Sequence, residues 1–213
     1  MPRIIYNKKD LPITRDHTLI IIDWDDTLYP TTWLNQNHID LTNPRHRYNH
    51  IKQFDVLDKY LSILLNHLRG LGEIIIITNA MPEWIELSGS VLPMTKKCIQ
   101  QIQVVSARAR YHEQYEMAMW KTRTFVDVIR ASQSNQYNNI VSLGDAEFEY
   151  NALIGLYGLT DMLPHKYLKS VRFIKSADFD TVIQQLKSMR ANMSNICKMT
   201  QHCDLVFGYN GSD

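Results

Sequence analysis

The sequence predicts an open α/β fold built on a parallel sheet, and three observations carry that prediction. Five short, nearly continuous apolar runs recur along the chain: "TLIIID" (18–23), "EIIIITNA" (73–80), "IQVVSA" (102–107), "NNIVSLGD" (138–145) and "SVRFIK" (170–175). Runs that do not alternate with polar residues are expected of strands covered on both faces. Helix-period segments lie between them, and strands alternating with helices imply βαβ units with right-handed crossovers. Finally, 213 residues, 45% of them apolar and 21% charged, suffice for one sizeable core, so a single domain spanning 1–213 is the expectation.

Taken in order, the first strand runs straight into three carboxylates, Asp23, Asp25 and Asp26. The stretch after it, residues 29–50, has no clear periodicity and exceeds the roughly 2–6 residues of an ordinary βα connection, so it reads as a functional flap. Tyr29, Trp33, His38, Arg45 and Arg47 are its candidates for substrate contact. A helix over 51–69 follows, with Phe54, Leu57, Leu61, Leu64, Leu65 and Leu68 spaced by three and four and Gly70 and Gly72 as its stop. Residues 79–120 read as helix, strand and helix. No period is evident in 157–169. After the last run, Phe179, Val182, Ile183, Leu186 and Met189 form another helical stripe, and "LVFGYNGSD" reads as a frayed tail. The core is therefore placed at about 17–190, with a C-terminal extension over about 191–213.

The net charge of +1 gives no global field that would favour nucleic acid or an anionic membrane. No apolar run approaches the roughly 20 residues of a membrane span, and the start lacks the apolar core of a secretory signal. A soluble, cytoplasmic protein is expected. Cys98, Cys197 and Cys203 lack the spacing of a zinc site or disulfide framework and read as buried or idle thiols.

Position makes the acidic cluster a candidate site, since open α/β sheets bind ligands at the carboxyl ends of their strands. In an extended chain Asp23 and Asp25 share a side, about 6.5–7 Å apart at Cα, while Asp26 points elsewhere and reads as a bystander or a cap. At an effective dielectric near 20 two partly buried charges at that distance repel by roughly 2–3 kcal/mol, so a proton, a basic side chain or a metal must offset them. An EF-hand is excluded, because counting from Asp23 places Leu28 and Leu34 where that loop needs Gly and Glu.

"IIIDWDDTL" resembles the first motif of the haloacid dehalogenase (HAD) superfamily of phosphohydrolases, an apolar strand followed by D-x-D-x-T. The other motifs follow in order: Thr78 ends the second run, Lys121 lies in a helical segment, and "GDAEFE" supplies Gly144, Asp145 and Glu149. On a helical wheel Lys121 falls inside the arc of Met117, Ala118, Phe125 and Val128, so it faces inward and needs a carboxylate partner. Lys96 and Lys97 are rivals that rank below it.

The resemblance implies a Rossmann-like three-layer sandwich with a five-stranded parallel sheet in the order 5-4-1-2-3, helices on both faces and no large cap. It implies Asp23 as nucleophile, Asp25 as general acid and base, and Thr78 and Lys121 as the remaining catalytic residues. Phosphate would be held by Asp23, Thr27, Thr78, Asn79 and Lys121. Mg²⁺ would be held by Asp23, the backbone carbonyl of Asp25 and Asp145, with Glu149 as a further ligand or an orienting acid. The expected activity is Mg²⁺-dependent hydrolysis of a phosphate monoester through an aspartyl-phosphate. An open site suits a large phosphorylated substrate, a protein or another macromolecule, or a second copy of the chain as lid. A dehalogenase would need neither the second aspartate nor the metal. A phosphotransferase, or a binding protein that has kept the fold and lost turnover, are the alternatives.

Overall fold

The computed structural model describes residues 12–131, 137–158, 166–176 and 178–207. Six strands, β1 (Thr18–Ile22), β2 (Glu73–Thr78), β3 (Gln103–Ser106), β4 (Asn139–Gly144), β5 (Tyr167–Arg172) and β6 (Cys203–Val206), form one sheet in the order β3-β2-β1-β4-β5-β6. Every pairing is parallel. The expectation of five strands is corrected to six. The first five keep the succession 5-4-1-2-3 read from the opposite edge, and β6 is added beyond β5.

The helices are α1 (Thr31–Gln36), α2 (Pro44–Asn49), α3 (Ile51–Arg69), α4 (Pro82–Gly89), α5 (Pro93–Ile99), α6 (Ala107–Tyr111), α7 (Met117–Ala131), α8 (Glu147–Tyr157) and α9 (Phe179–Lys198). They divide between the sheet faces as the strand pleat dictates. Ile20 and Ile22 of β1 point into a core with Leu57, Leu61 and Leu64 of α3 and Val182, Leu186 and Met189 of α9. Leu19 and Ile21 point into the opposite core with Phe125 and Val128 of α7 and Leu153 and Leu156 of α8. All five residues of β1 are buried, which is why its sequence shows no alternation.

Residues 29–50 are not a structureless flap. They contain α1 and α2, each of six residues and too short to show a period in sequence. Trp33 packs against the rings of His50, Phe54 and Phe179, the last at 4.9 Å between centroids. Tyr29 is buried and stacks on Trp24 at 6.0 Å. These two aromatic residues belong to the core, which corrects their reading as substrate contacts. His38 and Arg45 are exposed, and half-buried Arg47 donates from Nε to the Leu41 carbonyl.

The C-terminal reading also changes. α9 continues past the stripe that closes at Met189 to Lys198, and Leu205 and Val206 lie in β6 instead of a frayed tail; residues 208–213 lie outside the described residues. β5 begins three residues before the predicted run because Lys169, fully buried, interrupts the apolar pattern. Its Nζ donates to the Cys197 carbonyl at 2.8 Å, and Asn139 Nδ2 donates to the same oxygen at 3.0 Å, so the last turn of α9 is capped from within the sheet. Burial, with no carboxylate partner among the described residues, pulls the Lys169 ammonium down to about 8. Cys98 and Cys197 are buried and Cys203 half-buried, all three free. Among the described residues no helix is long and apolar enough to cross a membrane.

Candidate active site

β1 is flanked by β2 and β4, so the chain reverses its direction of sheet growth between β1 and β4. Asp23 follows β1 and Asp145 follows β4, which puts these two carboxylates on either side of the topological switch point. The Asp23 N–H donates to the Leu143 carbonyl at 2.9 Å, so the β1–β4 ladder continues through Asp23 and fixes its backbone. Alternation ends there. Beyond Asp23 the chain turns, with the Leu28 and Tyr29 N–H groups both bonded to the Trp24 carbonyl and Asp26 at φ 54°.

Lys121 comes to this point from α7. The residue is 2% exposed, and its Nζ donates to Asp23 Oδ1 at 2.6 Å and to Glu149 Oε1. The inward orientation follows from Phe125 and Val128 on the same face, although Met117 and Ala118 at the start of the predicted arc are exposed. Glu149 sits in the first turn of α8, where its other oxygen accepts from the Ala146 N–H at 3.1 Å. Both of its oxygens are therefore engaged, and its evident role is to hold Lys121. Lys96, by contrast, forms an ion pair with Glu86 at 2.9 Å away from this cluster, and Lys97 is exposed.

Charge in the site is unbalanced. Burial above all, and then Glu149 and Asp145, push Asp23 up to about 8 in spite of Lys121. Burial, Glu149 and Asp26 likewise raise Asp145 to about 6. The carboxylates hold the Lys121 ammonium above its ordinary value against its own burial. Four carboxylates, those of Asp23, Asp26, Asp145 and Glu149, face two ammonium groups, Lys121 and Lys175. A divalent cation would make up the difference.

No set of three or more His, Cys, Asp or Glu side chains is gathered for a metal among the described residues. Mg²⁺ does not require one, since it commonly takes one or two carboxylates and completes its shell with water and substrate phosphate. The hard oxygens of Asp23 and Asp145 fit that chemistry; Glu149 is already committed to Lys121.

Of the other predicted residues, Thr78 closes β2 and is fully buried. Its Oγ1 accepts from the Ala80 N–H at 2.9 Å, which leaves the hydroxyl proton to be given to a ligand. Thr27 Oγ1 and Asn79 Oδ1 are buried and without a partner among the described residues. The Thr27 hydroxyl could serve an anion; the Asn79 oxygen has the wrong polarity for one, so that residue could donate only through its amide nitrogen or backbone N–H.

Two contacts escaped the sequence, that of Lys175 with Asp26 and those of Thr31 and Trp84 with Asp25. Asp26 caps α1, accepting from the Thr32 N–H at 2.6 Å and Thr32 Oγ1 at 2.7 Å, while Lys175, from the segment after β5, lies 3.4 Å from it. Asp25 accepts from Thr31 Oγ1 and, at 2.7 Å, from Trp84 Nε1 of α4. No spacing in the sequence signals these partners, because each depends on where the chain turns after Asp23.

Gly144 lies directly against the Glu149 side chain. A Cβ there would lie 2.2 Å from Cγ and 2.4 Å from Cδ of Glu149. Gly144→Ala must displace the carboxylate that holds Lys121, and it is expected to lower stability by about 1–3 kcal/mol, the usual cost of overpacking. Urea unfolding measures this, with a control at Gly89, where a Cβ would meet no atom within 4 Å.

No protein-family model matches the chain, and no curated protein does. Among solved structures it is similar to that of a HAD family hydrolase from Deinococcus radiodurans R1 with bound phosphate and sodium, at 14% identity and a TM-score of 0.42, over 88% of this chain and 99% of that one.

Proposed function

We propose that the chain is a Mg²⁺-dependent phosphohydrolase of the HAD type that cleaves a phosphate monoester through a phosphorylated Asp23. The observation that carries this reading is the buried Lys121, held by Glu149 and donating to Asp23 at the end of the central strand. A lysine so placed can hold one phosphoryl oxygen while a carboxylate oxygen attacks phosphorus.

In the first step Asp23 attacks phosphorus and the bond to the leaving oxygen breaks, with Asp25 giving that oxygen its proton. In the second, Asp25 takes a proton from water, the water oxygen attacks the same phosphorus, and phosphate leaves Asp23 as a free carboxylate. Thr78 and Lys121 donate to the phosphoryl oxygens in both steps, joined by the Thr27 hydroxyl and an Asn79 N–H. Asp23 and Asp145, with the Asp25 carbonyl, would hold Mg²⁺, which supplies Lewis-acid stabilisation of phosphoryl charge and favours ionised Asp23.

Between β1 and β2 the chain adds only α1 and α2 before α3, and between β2 and β3 only α4 and α5. No domain-sized insertion stands at either place, which supports an open, capless site and a large phosphorylated substrate such as a protein.

The test is hydrolysis of p-nitrophenyl phosphate. Activity with Mg²⁺, lost on chelation and restored by Mg²⁺, is expected. No turnover across a broad panel of phosphoesters with Mg²⁺ present would contradict the reading and favour a binding protein.

A further inference from the structure

The two hydrogen bonds to Asp25 both fall on one oxygen. Thr31 Oγ1, from the first residue of α1, and Trp84 Nε1, from α4, each donate to Oδ1, while Oδ2 accepts none among the described residues. The indole is held for this task on its other faces. Its ring meets Tyr29 edge-on at 5.8 Å, and its backbone carbonyl accepts from Ser88, whose oxygen in turn accepts from Trp24 Nε1 at 3.0 Å. α4 is thereby fastened to the turn that carries Asp25 from both ends of the contact.

An indole N–H can only donate. Asp25 Oδ1 must therefore stay an acceptor, and a proton on this carboxyl group is directed to Oδ2. We propose that Trp84 is a positioning residue for proton transfer: with Thr31 it reserves Oδ1 of Asp25 and leaves Oδ2 as the single oxygen that gives a proton to the leaving group and later takes one from water. This rests on the reading of Asp25 as the general acid and base. Atoms balance without any further reactant, since the proton lost from Oδ2 to the leaving oxygen is regained at Oδ2 from the attacking water.

A role in proton delivery differs from a role in packing by its dependence on the leaving group. p-Nitrophenolate leaves without much help, whereas the alkoxide of an alkyl phosphate must be protonated as it departs. Trp84→Phe keeps the aromatic ring and removes the donor. It is expected to lower kcat/KM, which reports the steps up to departure of the leaving group, by about 10-fold or more for an alkyl phosphate, a fraction of the 10²–10⁴ that general acid catalysis supplies, and by less than about 3-fold for p-nitrophenyl phosphate. Thr31→Val, on a different helix, should show the same selectivity, so the comparison survives if one variant fails to fold.

Equal losses of kcat/KM on both esters, or no loss on either, would overturn the positioning role and leave the phosphohydrolase reading intact. A wild-type protein inactive on both esters with Mg²⁺ would overturn that reading and this inference together.

Discussion

Asp23→Asn is expected to abolish hydrolysis, by about 10⁴-fold or more, and at the same time to stabilise the metal-free fold. The first effect follows from removing the attacking oxygen, since an amide does not form the covalent intermediate. The second follows from the cost of the native carboxylate, which burial and its acidic neighbours hold up to about 8. An acid whose folded value lies above its unfolded value of 3.8 binds more protons in the folded state between those limits, so its contribution to stability falls as pH rises through that window. Replacing it removes that loss. A gain on the order of 1–2 kcal/mol at pH 8, shrinking towards pH 5, is expected from urea unfolding in the presence of chelator. Loss of activity joined to a gain of stability marks a residue kept for chemistry rather than for folding.

Lys121→Met should have the opposite effect on stability while also removing activity. The methionine fills similar volume beside Phe125 and Val128, but Asp23 and Glu149 are left buried without their cation. Breaking a buried pair from one side costs about 3–5 kcal/mol where the remaining charge persists. Here a proton can relieve part of that cost, so a loss of about 2–4 kcal/mol is expected, larger at pH 8 than at pH 5. Hydrolysis should fall by about 10²–10³-fold, the scale of one lost donor to a developing charge. Thermal unfolding and steady-state assays on the same preparation read both effects. An unchanged stability at pH 8 would mean that Lys121 does not neutralise the cluster.

The central sheet was legible because it is buried on both faces. β1 and β2 each hold four consecutive apolar residues and every position of β4 is buried, the pattern expected of strands covered on both faces. β6 was not legible: four residues alternating between half-buried and exposed at a sheet edge look like a tail. β5 was read short because Lys169 stands in its middle. The flap was misread for a similar reason, since Tyr29 and Trp33 look like contact residues in a polar stretch; Tyr29 is instead buried in the turn before α1, and Trp33 is on the buried side of α1, a helix too short to declare itself.

Within the site, Asp23 and Lys121 could be paired from sequence, because a buried-face lysine demands a carboxylate and the first strand ends in one. The pairing is present at 2.6 Å. Glu149 was read as a metal ligand or an orienting acid, because how the first turn of α8 meets α7 is not visible in sequence; both its oxygens prove to be engaged by Lys121 and Ala146. Asp26, read as a bystander or cap, is the cap of α1. Trp84 gave no signal at all, as its importance lies in the direction of one N–H.

The central claim, that Asp23 carries the phosphoryl group during turnover, can be tested at that residue itself. Protein quenched in acid during hydrolysis and reduced with borohydride converts an aspartyl-phosphate to homoserine, which peptide mass spectrometry locates. The expected result is homoserine at position 23, dependent on substrate and Mg²⁺. Active protein with unmodified Asp23, or homoserine at Asp25 instead, would contradict the account.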